Sequence, residues 1–77
     1  MVIVTCNIKM LWDNETDRWY TETEDVPGLA LESGSFDALV EKVRLIAPDV
    51  LEMNCDYVGP IHFNFLAHRT ETIRTAS

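Results

Sequence analysis

The feature that most constrains the fold is a single helical segment placed between three strand-like segments and a fourth. From Phe36 to about Asn54, apolar residues recur at the three- and four-residue spacing of one helix face. Elsewhere, apolar and polar residues alternate as they do in half-buried strands. One helix can cover only one face of a sheet, so we expect the other face to be open to solvent or to a partner.

The first two strands form a predicted β-hairpin. Alternating residues run from Val2 to Leu11 and again from Arg18 to Glu24, on either side of the polar cluster Asp13–Asp17. The segment Val26–Gly28 ends the second strand, because proline has no N–H for a ladder and glycine readily takes a positive φ. A short third strand is predicted over 29–32.

The helix has clear signals at its start and in its middle. Ser35 is a predicted N-cap, and Asp37 lies in the first turn, where the helix dipole favours a carboxylate. Pro48 removes one backbone hydrogen bond, so we expect one helix with a kink near 44–47. After a loop, alternation over 61–68 predicts the fourth strand.

These elements predict an α+β fold in the order β-β-β-α-β. A right-handed crossover through the helix lets the last strand lie parallel to the first. We therefore expect one mixed four-stranded sheet of order 3-2-1-4 in a single domain. Its core is expected over about 2–68, followed by a polar tail over 69–77 that frays.

The charge balance argues against nucleic acid as a direct ligand. The chain has thirteen Asp and Glu residues but only six Lys and Arg residues, which gives a formal charge of −7 over 77 residues. Phosphate binding needs several cations on one face, whereas an acidic surface either suits a basic protein partner or serves only the solubility of a small domain. We expect a cytoplasmic protein with both cysteines reduced, because no apolar run suits a membrane and no signal peptide is recognisable. The core of so short a chain is small, which favours a homo-oligomer, in particular a dimer.

No pattern of residues indicates catalysis, a cofactor or a metal site. The only histidines, His62 and His68, lie about 20 Å apart along the predicted fourth strand, too far to share one ion. Glu22 and Glu24 share one face of the predicted second strand, where an ion pair with Lys9 is the simplest interpretation. We therefore expect the protein not to be an enzyme.

The open sheet face is the predicted contact surface. Its mixture of exposed apolar and charged side chains is typical of a protein interface. Leu45 is a separate candidate because it lies opposite the apolar stripe of the helix. The tryptophans Trp12 and Trp19 are expected to pack under the helix. The partner-binding candidates are Lys9, Leu11, Tyr20, Glu22, Glu24, Leu45 and Leu66.

The order and spacing of several short motifs resemble one protein family. These motifs are Trp12-Asp13 before an acidic turn, the segment Asp25–Leu29, the helix start Ser35–Leu39 and "PIHFNFL" in the final strand. Together they resemble the HicB family of bacterial antitoxins and, more closely, short HicB-like domains of uncharacterised function.

This resemblance implies a partial RNase H-like fold without nuclease activity. It also implies a protein-interaction domain that acts as an antitoxin by binding and neutralising a small basic toxin that cleaves messenger RNA. No helix-turn-helix pattern follows the final strand, so DNA binding is not implied. The alternative is a homodimeric small-ligand-binding or regulatory module, and a residual hydrolase is a third hypothesis.

Overall fold

The computed structural model describes residues 3–75 and confirms the predicted architecture. The strand order is β3-β2-β1-β4, with β1 parallel to β4 and antiparallel to β2, and β2 antiparallel to β3. In chain order the elements are β1 (Val4–Asp13), β2 (Arg18–Glu22), β3 (Glu32–Ser33), α1 (Phe36–Cys55) and β4 (Ile61–His68). The predicted strand start at Val2 lies outside the described residues, and Ile3 precedes the strand.

The core lies between α1 and the face of the sheet that carries the even-numbered residues of β1. Cys6, Ile8 and Met10 are completely buried there. The helix contributes one buried residue per turn, and the loop after β2 adds two further apolar side chains. These buried residues are Leu39, Val43, Ala47 and Leu51 from the helix, and Val26 and Leu29 from the loop. Ile46, at the margin of this helix face, is 38% exposed.

The third strand lies later in the chain than predicted. Only Glu32 and Ser33 pair with β2, whereas Leu29 turns into the core. Next to the strand, Thr21 N donates to Leu31 O at 3.0 Å, and Leu31 N donates to the hydroxyl of Thr21 at 3.1 Å. Because a side chain accepts the Leu31 N–H, the regular ladder does not extend back over the predicted 29–32 segment.

The helix has the predicted N-cap and continues through its proline. Ser35 is extended and its hydroxyl accepts a hydrogen bond from Ala38 N at 3.4 Å. Pro48 lies inside α1, which ends at Cys55, one residue after the predicted end. Asp56 then takes a left-handed conformation and its N–H bonds to Leu51 O, which terminates the helix.

Trp19 joins the hairpin to the helix, as predicted, whereas Trp12 packs on Trp19. Trp12 and Trp19 are paired across β1 and β2 with ring centroids 5.4 Å apart in an edge-to-face arrangement. Trp19 makes a second edge-to-face contact with Phe36, at 5.2 Å. These contacts close one end of the core with aromatic surface.

The first residues of the predicted tail are held against the hairpin. Because β4 runs parallel to β1, the chain leaves β4 beside the hairpin turn. There, the guanidinium carbon of Arg69 lies 3.8 Å from the ring centroid of Trp12, and Asn14 Nδ2 donates to Thr70 O at 3.3 Å. Arg69 also pairs with Glu71 at 2.6 Å. The prediction of fraying is therefore wrong for 69–71, and the end of the predicted tail, Ala76 and Ser77, lies outside the described residues.

Candidate partner-binding surface

The strand register places five of the predicted contact residues on the open face of the sheet. Lys9 lies opposite Glu22 on one side and Leu66 on the other, and Leu11 lies opposite Tyr20. These residues alternate with the buried ones on β1, so their side chains leave the sheet on the face away from α1. The predicted grouping of Lys9, Leu11, Tyr20, Glu22 and Leu66 is thus found in the fold.

The apolar part of this face remains accessible. Leu66 is 54% exposed and Tyr20 is 39% exposed, while Leu11 between their two strands is half-buried. Exposed apolar side chains on an uncovered sheet face are the kind of surface on which protein partners pack.

Two adjoining cavities form a trough on the open face. One measures about 420 Å³ and the other about 350 Å³, and they share Lys9, Glu22 and Leu66 as lining residues. The first also contains Asn7, Thr23, Glu24 and Asp25, and the second also contains Leu11, Ala67 and His68. We call this combined feature the open-face trough.

The acidic end of the trough is built by a junction that sequence patterns did not reveal. In the continuing register, Asn7 would pair with the backbone of Glu24. Instead, Asn7 N donates to Asp25 Oδ2 at 2.7 Å, and the Thr23 hydroxyl donates to Asn7 O at 2.7 Å. The N–H of Asp25 in turn donates to Thr23 Oγ1 at 3.1 Å. We call these three residues, Asn7, Thr23 and Asp25, the Asn7 junction.

The Asn7 junction corrects the prediction for Glu24. The second strand ends at Glu22, two residues earlier than predicted, because side chains take over the backbone hydrogen bonds of Asn7. Glu24 is therefore an exposed loop residue and does not share a strand face with Glu22. It still lines the trough. Only the Thr-x-Asp spacing after a strand could have indicated such a side-chain-capped strand end.

The charged side chains of the open face pair differently from the prediction. Lys9 and Glu22 are register partners, but among the described residues their charged groups form no ion pair. The open-face pair is Arg18 with Glu32, whose Nε and Oε1 atoms are 3.2 Å apart. The Arg18 Nε is shielded from solvent and is not aligned for a hydrogen bond, so this contact is electrostatic.

Leu45 is separate from the other predicted contact residues. It is 66% exposed and lies on the helix, which covers the opposite face of the sheet. A partner seated in the open-face trough would not touch it. Leu45 is therefore a useful comparison residue for the surface defined above.

Among residues 3–75, no group of three or more His, Cys, Asp and Glu side chains could hold a metal ion. Burial raises the pKa of the Cys6 thiol, and the nearby Asp25 and Cys55 raise it further. His62 and His68 both lie on the open face of β4, as their register with Thr5 and Leu11 shows. His68 Nε2 is 3.3 Å from the Thr70 hydroxyl.

The family described as "Domain of unknown function (DUF1902)" matches residues 5–77. The chain belongs to this family. The match includes β1 from its second residue and every later element, up to and including the segment that contacts the hairpin. No curated protein matches the chain.

A solved structure has a similar sequence and fold to this DUF1902 domain. The chain is similar to the hypothetical protein TTHA1013 from the extremely thermophilic bacterium Thermus thermophilus. The two are 33% identical, the TM-score is 0.77, and the match covers 90% of this chain and 99% of the other. In the part of the chain that the structure describes, no helix has the length and apolar character needed to cross a membrane.

Proposed function

We propose that this DUF1902 domain is a non-catalytic protein-interaction domain that binds a small basic protein in the open-face trough. The observation that carries the proposal is the uncovered sheet face, on which Leu66 and Tyr20 are exposed beside carboxylates. An apolar centre with a charged margin supplies both burial and orientation for a partner.

The charge of the trough favours a basic partner. Three carboxylates, Glu22, Glu24 and Asp25, line its acidic end, and one ammonium group, Lys9, lies among them. Asp25 is bonded to the Asn7 N–H, so Glu22 and Glu24 are the carboxylates available to a partner. The net charge of −7 adds a long-range attraction that raises the rate of encounter with a cationic protein.

The resemblance to HicB antitoxins supports a specific identity for that partner. We propose a small basic toxin that cleaves messenger RNA, neutralised when this domain covers its RNA-binding surface in the bacterial cytoplasm. The fold would then be a partial RNase H-like domain with no activity on nucleic acid. In this proposal the domain binds neither DNA nor RNA directly.

A second candidate function is a homodimeric regulatory or small-ligand-binding module. It is favoured by β4, which lies at the edge of the sheet and has no strand of residues 3–75 paired on its outer side. If the protein is a dimer and a pull-down from its host recovers no basic protein, this candidate is favoured over the antitoxin.

The test compares two leucine variants in a pull-down from the native host, read by mass spectrometry. Leu66→Glu alters the trough, and Leu45→Glu makes the same change at a more exposed leucine on the far side of the molecule. The wild type and Leu45→Glu should recover the same small basic protein. Leu66→Glu should lose it.

The affinity of the recovered protein for single variants then measures how much a side chain of the trough contributes to binding. Tyr20→Ala should weaken binding by roughly tenfold or more if Tyr20 is an interface anchor. Equal recovery by both leucine variants, or capture of no basic protein by the wild type, would contradict the proposal.

A further inference from the structure

The outer edge of β4 lacks the features that usually protect an edge strand. Its eight residues pair with β1 in an unbroken register from Ile61 to His68, so it contains no bulge. The strand has no proline and no lysine, aspartate or glutamate. Natural edge strands generally avoid a long, flat, uncharged edge because it pairs with other chains. The opposite edge of the sheet, β3, is only two residues long.

The apolar core is also only partly covered along β4. On the helix side, Cys6 and Ile8 of β1 are completely buried, but their register partners Phe63 and Phe65 are only half-buried. Ile61, on the same side, is half-buried as well. The two phenylalanine rings lie 6.0 Å apart and extend the core surface to the edge of the sheet. A strand added beside β4 would cover this apolar surface.

Hydrogen-bond geometry limits how a second copy could pair there. Along an edge strand, the N–H and C=O of every second residue point outward, and those of the others point to the neighbouring strand. Two copies of β4 can therefore pair antiparallel only if each residue faces another that differs from it by an even number of positions. Such residues have side chains on the same face of the sheet. Both helices then lie on one face and both open faces lie on the other.

We propose that β4 pairs antiparallel with β4 of a second copy, with Asn64 on the twofold axis. This register places Phe63 opposite Phe65 of the second copy and Ile61 opposite Ala67, so the half-buried side chains cover one another. Moving the register by one step would instead place either Ile61 opposite Arg69 or Ala67 opposite Gly59, in both cases outside the strand. The product is a continuous eight-stranded sheet with closed twofold symmetry.

The charge distribution also favours a second copy at this edge. Two chains that each carry −7 repel one another, and β4 is a strand without formal charge at neutral pH. Pairing there brings together the parts of the two chains that add least to the repulsion.

The pairing changes the open-face trough. His62 of the second copy would lie opposite Leu66, so each trough gains an imidazole at its margin. Two troughs related by the twofold axis would share one continuous face. This inference does not depend on the basic partner proposed above, because a dimer can form whether or not that partner exists.

Disulfide cross-linking tests both the dimer and its register. In a Cys55→Ser background, which removes the exposed native thiol, Asn64→Cys places two thiols directly opposite each other. Opposed Cα atoms in an antiparallel pair are about 4.5–5.5 Å apart, within the range of a disulfide. His62→Cys is the matched control on the same strand face, because residue 62 and its symmetry copy would be about 13 Å apart along the strands.

The background protein should have twice the chain mass of 8.8 kDa by light scattering at micromolar concentration. Under mild oxidation, Asn64→Cys should form a covalent dimer at least tenfold faster than His62→Cys, and the double variant His62→Cys with Leu66→Cys should also cross-link. A monomeric mass at about 100 µM would overturn the proposal. A dimer in which His62→Cys cross-links as fast as Asn64→Cys, or in which neither does, would overturn the β4 pairing.

Discussion

Replacing Asp25 by alanine removes the acceptor of the Asn7 N–H at the acidic end of the trough. The bond is short, 2.7 Å from Asn7 N to Asp25 Oδ2, and its acceptor is a carboxylate. Hydrogen bonds to charged groups contribute about 1.5–3 kcal/mol to stability. Both residues are exposed, so water replaces part of this bond in the variant. We expect a loss of about 1–1.5 kcal/mol in the free energy of unfolding.

The matched control is Glu24→Ala, which removes the same charge one position away. The Glu24 carboxylate accepts no hydrogen bond from the described residues, so this change should cost less than about 0.5 kcal/mol. For a domain of this length, 1 kcal/mol corresponds to about 4–8 °C in Tm. The Asp25→Ala variant should therefore melt about 5–10 °C below the wild type, and Glu24→Ala close to it.

Urea unfolding followed by tryptophan fluorescence measures this difference, because Trp12 and Trp19 lie in the folded hairpin. Thr23→Val provides a second probe, since it keeps the side-chain shape but removes the hydroxyl that bonds to both Asn7 O and Asp25 N. The two changes should be non-additive, because they break one connected set of bonds. Equal midpoints for Asp25→Ala and Glu24→Ala would refute the role given to the Asn7 junction.

Two further predictions concern the hairpin contact and the buried thiol. Arg69→Ala should lower the free energy of unfolding by about 0.5–1 kcal/mol, because it removes the guanidinium from the Trp12 ring; urea midpoints identical to those of the wild type would contradict this. Burial raises the pKa of Cys6 above its ordinary value of 9.0, so the neutral thiol is favoured in the folded state. The stabilisation that comes from keeping this thiol neutral is full below about pH 9 and is lost as the pH rises through the pKa of Cys6 in the folded state. In a Cys55→Ser background, the free energy of unfolding between about pH 8 and 10.5 should thus fall more steeply for the protein that retains Cys6 than for the Cys6→Val variant. Parallel curves would show that the Cys6 thiol makes no such contribution to stability.

The strand order followed from local patterns combined with one rule of chain handedness. Alternation identified the strands around Ile8 and Phe63, and helical spacing identified the crossover between them. The right-handed connection then placed the last strand parallel to the first. The open face, with Tyr20 and Leu66 on it, followed from the same alternation.

The two strand boundaries that were predicted wrongly depend on side-chain hydrogen bonds to the backbone of residues distant in the sequence. The end of β2 is set by Thr23 and Asp25 acting on Asn7, 16 and 18 positions away. The start of β3 is set by the Thr21 hydroxyl acting on Leu31. No local periodicity contains this information, because a threonine in a strand has the same propensity whether or not its hydroxyl captures a neighbouring N–H.

The parallel pairing of β1 with β4 also has a consequence for synthesis. β1 leaves the ribosome before β4 and lies in the interior of the sheet, but its parallel partner β4 begins only at Ile61, after the other three elements. Contacts such as Asn64 to Asn7 span 57 positions. Native contacts of such long range slow folding, because a large loop must close first. During translation, one edge of β1 therefore stays unpaired until β4 has emerged, and a chain truncated before Ile61 would present that edge permanently as an aggregation site.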